Sequence, residues 1–280
     1  MRVSRSLVTF ALVILVALLS GSASARQPCT GPHTCVDLGG MSCEEKLAEF
    51  LRTAEVISIE DIGDGITKPR RVTLKKGDHS CRAIFKTVDI STTDVAYTNR
   101  LESVFTDKYV YEVAAYRIDR MLGIGLVPVT VLREIDGELG SLQYWVEGCM
   151  KMQDAADRDL QIKNMDLLLQ RLMLMYVLDA MIYNIDRNYT NVLVRPDADD
   201  FFLIDHSRAF RTKKKLPALK EERPIAVPAA VADGLTTLDL ATLESELDGL
   251  LSKRQIRAIE SRRKLLVAEL DALGVLPRTG

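Results

Sequence analysis

The chain is poor in the residues that make recognisable metal sites. Its 280 residues contain three histidines, His33, His79 and His206, too scattered for a histidine-rich cluster. None of its five cysteines forms a CxxC pair, which weakens a zinc reading. It also lacks a charge imbalance. The net charge is −2, and −4 without Arg2 and Arg5, so nothing global points to nucleic acid. No internal repeat and no low-complexity tract occurs. The longest apolar stretch, residues 7–19 with Thr9 as its one polar residue, is short of the roughly 20 residues that span a bilayer.

That run instead completes a leader pattern: Arg2 and Arg5, then the apolar stretch, then "SGSASA" with Ala23 and Ala25 at small-residue positions before a cut. The expectation is a signal peptide over 1–25 and an exported chain, periplasmic or secreted. A retained N-terminal membrane anchor is the alternative, and no cysteine stands where a lipoprotein signal needs one. In an exported chain Cys29, Cys35 and Cys43 are candidates for one or two disulfides, one of them reaching Cys81. The odd count leaves a thiol over, and Cys149 in its apolar context is the expected one.

About 255 residues remain, enough for one large domain or two lobes. "SCEEKLAEFLRTA", with Ser42 as N-cap, predicts a short helix. Residues 56–88 turn β-branched and alternating, with a turn at Lys76-Gly77-Asp78. "DKYVYEVAAYRIDRMLGI" has the spacing of an amphipathic helix ended by Gly123, and Asp136-Gly137 marks a hairpin. Beyond Lys151 comes one long apolar-striped helix, a single hairpin, a basic loop, and two or three terminal helices. The predicted class is α+β: an N-terminal extension and helix over 26–55, a strand-rich lobe over 56–150, and a mostly helical lobe over 151–280, meeting near Trp145 to Met150.

The most informative stretch is "YNIDRNYTNVLVRPDADDFFLIDHSRAF", residues 183–210. Pairing "NVLV" with "FFLI" so that Val194 faces Phe202 sets Asn191 opposite Asp205. An amide oxygen and a carboxylate then emerge together at the open end of the hairpin. Two hard oxygen donors suit Mg²⁺, which completes its shell with phosphate and water. Asp186, five residues before Asn191 and next to Arg187, is placed to orient and deprotonate a hydroxyl.

This arrangement resembles the catalytic and metal loops of the protein-kinase-like superfamily. It is most similar to atypical members: the type II phosphatidylinositol 4-kinases, the secretory-pathway kinases that phosphorylate exported proteins, and HipA-type serine kinases. In these an N-x-D-R element replaces the usual H-R-D, here Asn184 to Arg187. The metal aspartate is followed by His206-Ser207 in place of Phe-Gly. The resemblance covers about residues 56–210 and implies a two-lobed kinase-like fold. It assigns Gly63 and Gly65 to a phosphate-covering turn, Lys86 to the phosphates and Glu112 to that lysine's ion pair. It further assigns Trp145, Val146, Glu147 and Gly148 to a hinge whose backbone meets adenine, and Asp179 to bracing the catalytic loop.

The implied reaction is transfer of the γ-phosphoryl group of ATP to a hydroxyl. Asp186 acts as base, and Asn191 and Asp205 hold Mg²⁺ or Mn²⁺. The expected partners are nucleotide and a hydroxyl acceptor, a protein Ser/Thr before a lipid or glycan. Lys213 to Lys215 are a candidate docking surface for an anionic acceptor. The competing reading is a pseudokinase that uses the same pocket to bind nucleotide or a partner, and a purely structural extracellular protein is the third.

Overall fold

The computed structural model describes residues 43–63, 68–93, 105–160, 163–195, 200–218 and 227–276. All of them fall in one compact unit, Thr34–Gly280. The expected leader, Cys29, Cys35, Ser42 and Gly65 lie outside the described residues.

Helix α1 (Cys43–Thr53) opens the fold, followed by β1 (Glu55–Asp61), β2 (Arg70–Lys76), β3 (His79–Lys86), β4 (Asp89–Thr92) and β5 (Phe105–Lys108). Helix α2 (Tyr109–Met121) precedes the hairpin of β6 (Thr130–Ile135) and β7 (Glu138–Tyr144), and β8 (Met150–Lys151) and α3 (Met152–Asp157) follow. The helical half holds α4 (Met165–Ile182), the hairpin β9 (Val192–Arg195) and β10 (Asp200–Leu203), then α5 (Ala229–Thr237), α6 (Leu240–Leu247) and α7 (Lys253–Ala272).

The main sheet is antiparallel in the order β1-β2-β3-β7-β6. Two-residue turns set its registers. Lys76 pairs with His79 around Gly77 at φ +61°, and Ile135 pairs with Glu138 around Asp136 at +53° and Gly137 at +80°. Positive φ at Gly77 in the first turn, and at both central positions of the second, matches the right-handed twist of the flanking strands. The inward row of this sheet, Val72, Leu74, Ala83, Phe85, Val131 and Leu142, is buried together with Phe50 and Leu51 of α1. Covering one face lets the strands read as alternating rather than continuously apolar.

A second, larger apolar core joins α2 to α4, β9, β10 and the three terminal helices. Helix α2 therefore belongs by packing to the helical half while also touching β6 and β7. Tyr116 lies against both cores. Asp119, fully buried on α2, accepts the N–H groups of Gly125, Leu126 and Val127 at 3.0–3.2 Å, which folds the chain back under the sheet. At the far end Ser252 and Gln255 form a capping box on α7. The Gln255 amide also donates to the Tyr111 hydroxyl and the Phe210 carbonyl, tying α7 to α2 and to the segment after β10.

Two expectations need correction. The β9–β10 register is one residue away from the predicted one: Val194 faces Phe201 and Val192 faces Leu203. Burial decides it. A one-residue slip turns each side chain to the opposite face, and it would set the fully buried Leu203 opposite half-buried Leu193 instead of buried Val192. Asn191 therefore stands beside Ile204, whose N–H it accepts at 3.1 Å, and Asp205 lies one residue beyond the pair. The second correction concerns the bridge to Cys81, which is not made. Among the described residues Cys43, Cys81 and Cys149 are free thiols, and burial pushes the Cys81 thiol up to about 12.

Candidate active site

Lys86 ends β3 opposite Ser141 of β7. Its placement depends on Gly140, because a Cβ there would stand 2.5 Å from the Lys86 carbonyl oxygen and 2.6 Å from the Phe85 ring. The Lys86 ammonium bonds Glu112 Oε1 at 2.7 Å and Asp205 Oδ1 at 2.9 Å. Three residues 119 positions apart at the extremes thus converge between the sheet and the helical half. Burial opposes the lysine's charge. The two carboxylates outweigh it and hold the ammonium above its ordinary range. Glu112 shows the mirror image: burial favours its neutral form, but Lys86 and then His206 hold the carboxylate below its ordinary range.

Glu112 is fixed from a second side. Its Oε2 accepts the backbone N–H of His206 at 3.1 Å and lies 3.4 Å from His206 Nδ1. Helix α2 is also tied at its start, where the Lys108 N–H donates to the Ser207 carbonyl at 2.9 Å. The residue that follows Asp205 in chain order therefore clamps the lysine's partner. Asp205 itself takes a left-handed φ of +59°, as do Tyr183 at +55° and Phe210 at +63°. Such positions are uncommon for aspartate and outliers for aromatics, each costing about 1–3 kcal/mol. Their grouping around one loop pair fits a site held by its surroundings. The Phe210 N–H donates to Ile182 at 2.7 Å across that pair.

The predicted catalytic loop is braced as the resemblance implied. Buried Asp179 receives Arg187 through two bonds of 2.9 Å and the Asn184 amide at 2.9 Å. Arg187 then donates to the carbonyls of Asn191 at 2.7 Å and Ile204 at 2.9 Å, clamping the root of the β9–β10 hairpin. Asn184 accepts the Asp186 N–H at 3.1 Å, and the Asn191 amide donates to the Asp186 carbonyl at 3.2 Å. Asp186 is half-buried, which pushes its carboxyl above the ordinary range. Arg208, whose Nη1 lies 3.1 Å from Asp186 Oδ2, works against that rise. The Arg208 guanidinium also stacks 4.9 Å over the Phe105 ring of β5.

The donor set suits a hard divalent cation. The Asn191 amide nitrogen is spent on Asp186, leaving Oδ1 with only the Thr190 hydroxyl at 3.4 Å. Asp205 Oδ1 serves Lys86 and Ser207, and the carboxylate is 43% exposed. Among the described residues no three His, Cys, Asp or Glu side chains close on one point. A cation held here by Asn191 and Asp205 would have two protein oxygens and would need phosphate and water for the rest, the habit of Mg²⁺.

The stretch 145–148 is more committed than expected. The Trp145 N–H donates to the Arg82 carbonyl at 3.0 Å, and its ring lies beneath Arg82 at 5.1 Å and Arg71 at 5.9 Å. The Glu147 carboxylate pairs with Arg82, and its carbonyl accepts Arg195 Nη2 at 3.1 Å. Any purine contact here falls to other peptide groups, near buried Val146 and Gly148 at φ +71°. Gly63 has φ +71°, a conformation glycine adopts without strain, and the rest of the expected phosphate-covering turn lies outside the described residues.

Sequence reading missed Arg208, the tie from His206 to Glu112, and Asp107, a buried carboxylate five residues before Glu112. Arg208 had a signal in its position, three residues after Asp205. Asp107 had none, since its neighbours come from distant parts of the chain.

No protein-family model matches the chain, and no curated protein does. Solved structures do. A hydra Fam20 with sugar is 14% identical with a TM-score of 0.59, covering 85% of this chain and 93% of that one. A Golgi casein kinase is 15% identical with a TM-score of 0.54, over 84% and 77%. The Golgi casein kinase with Mn/ADP bound is 14% identical at 0.55, over 81% and 75%. The fold is that of the atypical protein-kinase-like proteins, in agreement with the resemblance read from residues 183–210.

Proposed function

We propose that the chain is an exported kinase transferring the γ-phosphoryl group of ATP to a hydroxyl, with a protein Ser/Thr as the first candidate acceptor. The observation that carries this reading is the single corner formed by Lys86, Glu112 and Asp205, with Asp186 and Asn191 on the adjoining loop. Phosphoryl transfer asks little covalent help of a protein and much positioning, and that corner is built to position. Lys86 meets the phosphate oxygens with its charge kept on by two carboxylates. Asn191 and Asp205 hold Mg²⁺ or Mn²⁺, which when bound neutralises charge on the phosphates. Asp186 accepts the proton of the acceptor hydroxyl as its oxygen bonds the γ-phosphorus. The bond from that phosphorus to the bridging oxygen breaks, and ADP leaves.

The neighbours support the nucleotide and cation part: one Golgi casein kinase structure carries Mn/ADP. The acceptor remains protein before glycan or lipid. Lys213, Lys214 and Lys215 are exposed beyond the metal aspartate, on a backbone held by buried Arg262, which donates to the Arg211 carbonyl at 3.0 Å. That surface favours an acceptor with anionic groups near its hydroxyl. Export rests on the leader pattern of residues 1–25.

One observation favours the competing reading of a nucleotide-binding pseudokinase: the proposed base is already paired with Arg208. Capture of labelled product from γ-labelled ATP and an acceptor panel separates the two. The kinase reading expects labelled acceptor with wild type and none with Asp205→Ala. Binding of Mn·ATP with no transfer to any acceptor, water or the chain itself leaves the pseudokinase.

A further inference from the structure

Asp107 sits in β5, just before α2, and is 5% exposed. Its Oδ1 is buried with no hydrogen-bond partner among the described residues. The carboxyl contacts the Ser207 hydroxyl and lies within the electrostatic reach of Asp205, Lys86 and Glu112. Ser207 Oγ is in turn 3.3 Å from Asp205 Oδ1. A hydroxyl has one proton, so it cannot donate to both carboxylates at once. One of the two is always left without that bond, and a buried carboxylate in that condition is costly.

The local charge points the same way. Burial disfavours the charged form of Asp107, but when it is ionised, Asp107, Glu112 and Asp205 bring three negative charges, and Lys86 is the only lysine or arginine bonded to that group among the described residues. The nearby pairs of Arg187 with Asp179 and Arg208 with Asp186 are neutral in themselves. A residual charge of about −2 in a poorly solvated corner matches one divalent cation, whereas Glu112 and Asp205 alone would leave about −1. Resting on the kinase-type reading of the site, we propose that Asp107 is an outer-layer carboxylate of the cation site. Through Ser207 it orients Asp205, and its charge lets a divalent cation bind before the nucleotide arrives. It is a positioning residue rather than a ligand, since among the described residues no three His, Cys, Asp or Glu side chains close on one point.

The test is Mn²⁺ binding to the whole chain, read from the resonance of free Mn²⁺, without nucleotide and then with ADP. Asp107→Asn keeps the shape and removes the charge, and it is expected to weaken Mn²⁺ about 10–100-fold without nucleotide. The loss with ADP should be smaller, because phosphates then supply the missing charge. The melting temperature of the metal-free variant should be equal to or above that of wild type. Ser207→Ala, whose small change preserves folding, is expected to weaken Mn²⁺ by a lesser factor and decides the matter if Asp107→Asn does not fold. Unchanged Mn²⁺ affinity in folded Asp107→Asn, or in Ser207→Ala where that variant must decide, overturns the proposal and leaves the kinase reading standing. Wild type that takes up no Mn²⁺ with or without ADP overturns both.

Discussion

The two sides of the candidate site are built differently. On one side Lys86 and Glu112 are nearly excluded from solvent, and Glu112 is bonded to Lys86 and to the His206 backbone. On the other, the Asp186 carboxylate is 41% exposed and Arg208, with which it pairs, is 29% exposed. The buried side suits a ligand of fixed shape and charge, such as a nucleoside triphosphate with its cation. The open side suits an acceptor that comes and goes, and its one ion pair can be exchanged at little cost. On the proposed kinase reading, the phosphate donor would meet the buried side and the acceptor the exposed one.

The contrast can be broken at its strongest point first. Lys86→Met leaves Glu112 buried without its cation, so it should destabilise the chain by about 3–5 kcal/mol in urea titration as well as abolish transfer. A change of less than about 1 kcal/mol would remove the distinction between the two sides. The pH dependence of stability follows from the same pair. Glu112 is held below its ordinary 4.5, so its contribution is present above that pH and lost as pH falls through the folded value. Lys86 is held above its ordinary 10.5, so its contribution is present below that pH and lost as pH rises through the folded value. Urea midpoints should therefore form a plateau between these limits, and Lys86→Met should flatten the pair's share of both edges.

On the open side the effects fall on rate rather than folding. Asp186 is raised above its ordinary 3.8, so the acid limb of kcat/KM should lie above that pH. Arg208→Gln should move the limb higher still, with little change in the urea midpoint. A limb that stays in place would show that Arg208 does not act on Asp186. Lys214→Ala is the smallest change: stability within about 0.5 kcal/mol of wild type, and a raised KM only for an anionic acceptor.

Much of this was legible in the residues. The β6–β7 hairpin declared itself through Asp136-Gly137, α2 through helical spacing closed by Gly123, and α4 through its apolar stripe, although its end at Tyr183 did not. The resemblance picked out Lys86, Glu112, Asp186, Asn191 and Asp205 in that order, and the structure brings Lys86 within hydrogen-bond distance of Glu112 and Asp205. The β9–β10 register was not legible, since Val192 to Val194 and Phe201 to Ile204 are apolar at every position and lack the alternation that tells one face from the other. Asp107 was out of reach as well. Its burial and its sharing of Ser207 arise between segments 100 residues apart, which no local spacing encodes.

The most direct measurement takes one purified sample of Asp186→Asn and reads Mn·ADP binding and phosphoryl transfer side by side with wild type. A donor side independent of the acceptor side predicts unchanged Mn·ADP affinity with transfer slower by roughly 10²–10⁴. Transfer at the wild-type rate, or loss of nucleotide binding together with transfer, would contradict it.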